Sequence, residues 1–158
     1  EIILTQPKNK FVADFVGADR ALKVLGIMQV KDTINRRPKN VISGSESTQN
    51  ALKFLDENGF RYGIVVDRGK PVGSVTQKIL KYENCLARDV AEPYPLFIKE
   101  RTSLRDVLSF MLMYDESTFC VVDEKGDFAG TITYNDIQRV VRESYADEAE
   151  SNSDEVVP

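Results

Sequence analysis

The sequence predicts an α/β fold made of two copies of one β-α-β-β-α unit, and three observations carry that expectation. Sliding the chain on itself by 56 residues brings Val65-Val66-Asp67 onto Val121-Val122-Asp123. The same offset places Ser47, Ala51, Leu52 and Phe54 on Ser103, Val107, Leu108 and Phe110, and Val41-Ile42 on Phe97-Ile98. Each copy also changes its pattern in the same order, from a helical apolar stripe to β-rich runs closed by glycine-containing turns, as a repeated supersecondary unit must.

In the first copy Val41-Ile42 reads as a brief strand. Ser45 to Ser47 offers an N-cap for a helix whose Ala51, Leu52 and Leu55 share one face, and Asn58-Gly59 stops it. Tyr62 to Asp67 is β-rich, Arg68-Gly69-Lys70 makes a tight turn, and Val72 to Thr76 returns antiparallel before a short helix through Leu80. The second copy repeats this with a strand at Leu96 to Ile98, a helix from about Ser103 to Tyr114, strands at Thr118 to Asp123 and Phe128 to Thr133, and a helix from Tyr134 onward. Its turn, Glu124-Lys125-Gly126-Asp127, is one residue longer, so that Gly73 matches Gly130 and Thr76 matches Thr133.

Composition bounds what such a chain can do. At 158 residues, 42% hydrophobic and 29% charged, it buries one ordinary core or two small ones sharing an interface. No run approaches the roughly 20 apolar residues of a membrane span, and the first residues lack the basic-then-apolar pattern of a signal peptide, so direct membrane insertion is not expected. The opening on Glu1 reads as a piece of something longer. Two distant cysteines, Cys85 and Cys120, and no histidine give neither a disulfide framework nor a usual zinc site, which points to the cytoplasm. From Glu143 onward there are six acidic residues and no basic one, leaving the rest at +2 against a total of -4. That tail, 144–158, reads as acidic and mostly disordered. A body so close to neutral gives no electrostatic case for nucleic-acid binding.

The run Val121-Val122-Asp123, then Gly130-Thr131-Ile132-Thr133-Tyr134-Asn135-Asp136-Ile137, resembles the CBS-domain family, and Gly73-Ser74-Val75-Thr76 repeats its first half. CBS domains occur in tandem as Bateman modules. The resemblance covers about residues 31 to 143, and divides the chain into 1–30 (a helical linker and what precedes it), 31–86 (first CBS domain), 87–143 (second) and the tail.

Two readings of the glycine-to-aspartate run stand side by side. Thr133 sits where an N-cap belongs with Asp136 three residues on, as in a capping box, at a helix N-terminus that favours phosphate. Resemblance to nucleotide-binding CBS units implies instead that Thr133 and Asp136 reach ribose or phosphate while Thr118 and Phe119 line an adenine slot. The first copy departs from the pattern, because Ile79 stands where the acidic residue falls; this implies unequal clefts. Tyr62 and Thr118 occupy matching positions and are paired candidates for walls of a central cleft, where an aromatic ring stacks on a purine. Phe60 and Phe119 serve equally well as core.

Residues 1–23 resemble something else: Pro7, Asn9, Phe11-Val12, Phe15-Val16-Gly17 and Asp19-Arg20 are similar to the end of the ATPase domain in glycine betaine/carnitine/choline ABC importers, where such a run precedes a CBS pair. By pattern alone, Phe11, Phe15 and Val16 form a helical stripe that Gly17-Ala18-Asp19 breaks. There is no GxxxxGK[ST] phosphate loop and no histidine partner for either cysteine, so the chain reads as non-catalytic. The resemblance implies a regulatory module, peripheral to the membrane through an upstream ATPase domain and the importer's membrane subunits. It also implies a homodimer holding cyclic di-AMP at its interface to restrain osmolyte uptake, with no other cofactor. The residues assigned to that ligand are Tyr62, Thr118, Thr131, Thr133 and Tyr134, then Asn40, Val41, Phe60, Phe119 and Asp136. AMP or ATP sensing, a response to ionic strength, and pure dimerisation are the competing readings.

Overall fold

In the computed structural model the chain is described from residue 10 to 155, with side chains from 17 to 147. In chain order the elements are α1 (Lys10–Ile27), a 3-10 turn (Val30–Asp32), β1 (Val41–Ser43), α2 (Thr48–Asn58), β2 (Gly63–Asp67), β3 (Lys70–Val75), α3 (Gln77–Leu80) and α4 (Ala87–Val90). The second copy follows as β4 (Ile98–Lys99), α5 (Leu104–Tyr114), β5 (Thr118–Val122), β6 (Phe128–Thr133) and α6 (Tyr134–Glu155). Two three-stranded sheets result, ordered β1-β2-β3 and β4-β5-β6. The first strand of each is parallel to the second, which requires the intervening helix as a crossover; β2 and β3 form an antiparallel hairpin.

The chain divides into two compact units. One holds both sheets with residues 34–100 and 117–132. Its first-copy core is Ile42, Ala51, Leu55, Val65, Val75, Leu80 and Ala87, with Phe54, Phe60, Ile79 and Val90 packed against it. The second sheet buries Ile98, Phe119, Cys120, Val121, Val122 and Ile132. The other unit gathers α1, α5 and α6, with Leu25, Val30, Leu104, Val107, Met111, Ile137 and Val140 buried.

Matching helices are started and stopped alike. Ser47 and Ser103 each accept the third amide of their helix, from Asn50 and Asp106 at 3.1 Å. Each helix ends on a left-handed residue, Gly59 (φ 68°) and Asp115 (φ 52°). Matching aspartates have diverged: Asp67 lies 3.6 Å from Arg88, whereas Asp123 Oδ1 accepts the amides of Lys125 and Asp127 and so folds its longer turn.

Two expectations are corrected. Gly17-Ala18-Asp19 does not break the first helix; α1 runs through it. A mid-helix glycine costs about 1 kcal/mol relative to alanine. Here it makes room for α6, since Gly17 O accepts the Tyr145 hydroxyl and a Cβ would lie 2.9 Å from it. Nor is the tail from 144 unstructured, because α6 continues to Glu155. Ala146, Glu148, Ala149 and Glu150 are good helix formers extending an already nucleated helix, so propagation outweighs the shortage of apolar residues on which the expectation rested. The stretches 1–9 and 156–158 lie outside the described residues.

Asp115 adopts a backbone conformation that glycine occupies in the first copy. Replacing it with glycine, Asp115→Gly, stabilises the chain by about 0.5–1 kcal/mol in denaturant unfolding; unchanged or lower stability contradicts this reading of the cap.

Candidate functional site: the paired strand entries

The glycine of each glycine-x-hydrophobic-Thr run is explained by backbone, not by ligand. The extended segment that leads into each copy pairs with the returning strand of the other copy. Asn35 exchanges both backbone hydrogen bonds with Thr131, at 3.0 and 2.9 Å, and Glu92 does the same with Ser74, at 2.8 and 2.9 Å. A Cβ on Gly130 would lie 2.2 Å from Asn35 O, and one on Gly73 would lie 2.2 Å from Glu92 O. No side chain fits at either place. Gly130 has in addition a φ of 148°.

The crossing covers one of the predicted residues, and the sheet core buries others. Thr131 lies under the Asn35 segment and is 3% exposed, and Phe119 is wholly buried, so neither offers a face to a ligand. Phe60 also belongs to the core: its ring packs 5.7 Å from Phe54, and its carbonyl accepts from Gln77 Nε2 at 2.7 Å. Val41 lines a separate open concavity of about 480 Å³ with Ile42, Ala51 and Phe54.

Three residues do come together. Tyr62 and Thr118, the matching positions at the entries of β2 and β5, meet directly, with the Tyr62 hydroxyl donating to Thr118 Oγ1 at 3.3 Å. Asn40 joins them by donating Nδ2 to Tyr62 O at 3.2 Å, while its own carbonyl accepts from Ile64 N. Both Tyr62 and Thr118 are half-buried. The pair therefore presents a phenol and a hydroxyl where matching positions of the two copies meet, with the Asn40 carboxamide bonded to the main chain of Tyr62. That set suits a flat polar heterocycle, which stacks and hydrogen-bonds at once.

In the other unit, Thr133, Tyr134 and Asp136 open α6. The capping box is complete: Asp136 N donates to Thr133 Oγ1 at 3.1 Å and Thr133 N donates to Asp136 Oδ2 at 2.9 Å. Arg139 Nη2 donates to Asp136 Oδ1 and to Thr33 Oγ1, each at 3.0 Å. Both Asp136 oxygens are thus engaged, and the residue is 8% exposed. Tyr134 is exposed. The matching junction of the first copy keeps only the threonine, with Thr76 Oγ1 accepting Ile79 N at 3.4 Å. An open concavity of about 530 Å³ lies there, lined by Thr76, Lys78, Ile79, Glu83, Val90 and Glu92. Sequence reasoning did not single out Lys78, Glu83 or Glu92, nor the crossing segments, whose pairing is long-range.

Neither thiol is poised as a nucleophile. Burial pushes Cys120 up to about 12, a hydrogen bond with Tyr94 opposing the shift. The Cys85 thiol is raised as well, by desolvation first and then by Asp89 and Glu83. Among the described residues no cluster of metal-ligating side chains occurs, and no helix is long and apolar enough to cross a membrane.

Two β-α-β-β-α copies with crossed lead-in segments define a tandem domain pair, and the CBS domain profile matches residues 30–82 and 87–143. The chain belongs to the CBS domain family. It is 31% identical over 83% of its length to the osmoprotectant import ATP-binding protein OsmV of Salmonella typhimurium, covering 35% of that protein. To the carnitine transport ATP-binding protein OpuCA of Listeria monocytogenes it is 29% identical over 90% of its length, covering 37%. The chain thus spans about a third of the length of these relatives. Among solved structures, CBSX2 in complex with AMP matches with a TM-score of 0.64 at 24% identity, covering 74% of this chain and 98% of that one. The CBS domain of a bacterial CNNM/CorC family Mg2+ transporter in complex with ATP matches with a TM-score of 0.65 at 18% identity, covering 81% and 96%. These structural likenesses establish the shared fold.

Two predictions follow from the geometry at this site. Asp136→Ala removes one half of the capping box and a partner of Arg139, and lowers unfolding stability by about 1–2 kcal/mol; no loss would contradict the capping role. Cys120 is protonated in both states below pH 9.0. From there to about pH 12 the unfolded chain releases that proton while the native chain holds it, so stability falls as pH rises. In pH-dependent unfolding, Cys120→Ala has a shallower fall over that window, and an unaltered slope would refute the assignment.

Proposed function

We propose that this module is an adenine-nucleotide sensor attached to the ATP-binding subunit of an osmolyte importer, and that its ligand is cyclic di-AMP. The observation that carries the reading is the Tyr62–Thr118 contact. Equivalent positions of the two copies meet there and furnish an aromatic face and a hydroxyl, with Asn40 bonded to the Tyr62 main chain beside them. The likeness to OpuCA and OsmV supports the attachment to an importer subunit, with an ATPase domain upstream and membrane subunits reached through it. In this reading two copies of the chain hold one ligand between them, because a two-fold ligand on a two-fold axis uses each side chain twice. Binding favours one dimer arrangement and restrains transport by shifting that population; a coupling of about 1–3 kcal/mol is enough. The module itself performs no chemistry.

A second reading, mononucleotide sensing, is favoured by a different observation: structural neighbours of the same fold were solved with AMP and with ATP. It would draw on Thr133 and Asp136, but the Asp136 carboxylate is already occupied by Thr133 N and Arg139.

Titration calorimetry of the chain with cyclic di-AMP, AMP, ATP and cyclic di-GMP separates these. The expected result is selective binding of cyclic di-AMP at one ligand per two chains. Tyr62→Ala then weakens it about tenfold or more, in line with about 1–3 kcal/mol per stacked base. Binding of AMP or ATP that Asp136→Ala abolishes would favour the second reading, and no heat with any nucleotide would overturn both.

A further inference from the structure

Two stretches of the chain lie outside the CBS profile, residues 1–29 and 144–158, and their described parts are built against each other. Before the profile runs α1, and beyond it runs the outer half of α6. The Tyr145 hydroxyl donates to Gly17 O, and the glycine is what lets it in, since a Cβ there would stand 2.9 Å from that oxygen. Glycine is a poor choice for a helix interior; admitting the hydroxyl is its use here.

A second tie holds the other end of the same helix pair. Arg139 Nη2 donates both to Asp136 Oδ1 and to Thr33 Oγ1, the residue that closes the turn after α1, at 3.0 Å each. Between the two ties Leu25, Ile137 and Val140 are buried. Arg139 and Tyr145 stand about 9 Å apart along the axis of α6, so α1 is gripped at two separate points and does not pivot about one. The segment after α1 is also bonded to the start of α5, with Leu104 N donating to Met28 O at 3.0 Å and Val30 N to Thr102 O at 2.9 Å. The helix that precedes the first CBS domain in sequence is thus held by elements of the second.

We propose that α6 carries a clasp for α1, in which Tyr145 and Arg139 together fix that helix on the second CBS domain so that the two move as one body. The use of the clasp rests on the importer reading above, in which α1 joins this module to an ATPase domain. A change at the start of α6 then reaches that domain through α1. Asp136 is shared between the cap of α6 and Arg139, so a group that takes its carboxylate from Arg139 loosens the second tie.

Amide hydrogen exchange of the 158-residue chain, run without nucleotide, tests the clasp independently of any ligand. Tyr145→Phe removes only the hydroxyl and is expected to speed exchange in α1 about three- to tenfold, as for the loss of one hydrogen bond, with β2 and β3 unchanged. Gly17→Ala separates the clasp from helix propensity. In the Tyr145→Phe background the nearest ring atom lies 3.7 Å from the added methyl, an ordinary contact, and alanine slows α1 exchange about fivefold through its better helix propensity. In the chain that keeps the hydroxyl, the methyl displaces it and the gain is lost. Arg139→Gln combined with Tyr145→Phe speeds α1 exchange by more than the product of the single effects, because either tie alone still holds the helix. Exchange in α1 unaltered by Tyr145→Phe, equal slowing by alanine in both backgrounds, or a double variant that only multiplies the single effects would overturn the clasp. The nucleotide titration above can fail with each of these results standing, and the reverse.

Discussion

The reciprocal pairing of each lead-in segment with the other copy's returning strand is the constraint on which the sheet-bearing unit depends. Four short backbone hydrogen bonds join Asn35 to Thr131 and Glu92 to Ser74, and the two carbonyls approach so closely that only glycine fits at 73 and 130. Neither copy is then complete without the other. Further ties reach across at the hairpin tips, where Phe128 N donates to Gly69 O at 2.7 Å and Lys70 Nζ reaches Lys125 O and Asp127 Oδ1. The exposed Lys70–Asp127 pair adds little by itself; the reciprocal backbone pairing is what satisfies the amides and carbonyls of Asn35, Thr131, Ser74 and Glu92.

A shared frame of this kind lets side chains diverge at matching positions without loss of the fold. The caps at Ser47 and Ser103 are the same, but Tyr62 faces Thr118, Ile79 stands for Asp136, and acidic Asp56-Glu57 stands for apolar Leu112-Met113. The tyrosine gives the Tyr62–Thr118 contact its flat face and the aspartate locks the start of α6 with Arg139, while Leu112 and Met113 stand exposed where the first copy is acidic. Repeat symmetry builds the scaffold, and individual side chains diverge within it.

Most of the fold was legible in the sequence for the same reason. The 56-residue offset recovered both crossover helices and both hairpins, and β6 was read with its observed ends, because each signal appears twice and is bounded by a cap or turn residue. Gly17 and the acidic tail were misread because local rules lost to context: a helix partner accommodated the glycine, and helix propensity carried α6 onward. The short α4 has too few residues for periodicity to speak. The site was only half legible. Matching positions pointed to Tyr62 and Thr118, which do meet, and Phe119 was readable as core, but burial of Thr131 follows from a long-range backbone pairing that no local pattern encodes. The choice between cap and ligand at Asp136 likewise needed the position of Arg139.

Amide hydrogen exchange on Gly73→Ala tests the central claim most directly, that the crossed segments make the two sheets one cooperative structure. Displacing the Glu92 segment that leads into β4 is predicted to speed exchange in β4 and β5 as well as in β2 and β3. Faster exchange confined to β2 and β3, with the second sheet protected as in the wild type, would contradict it.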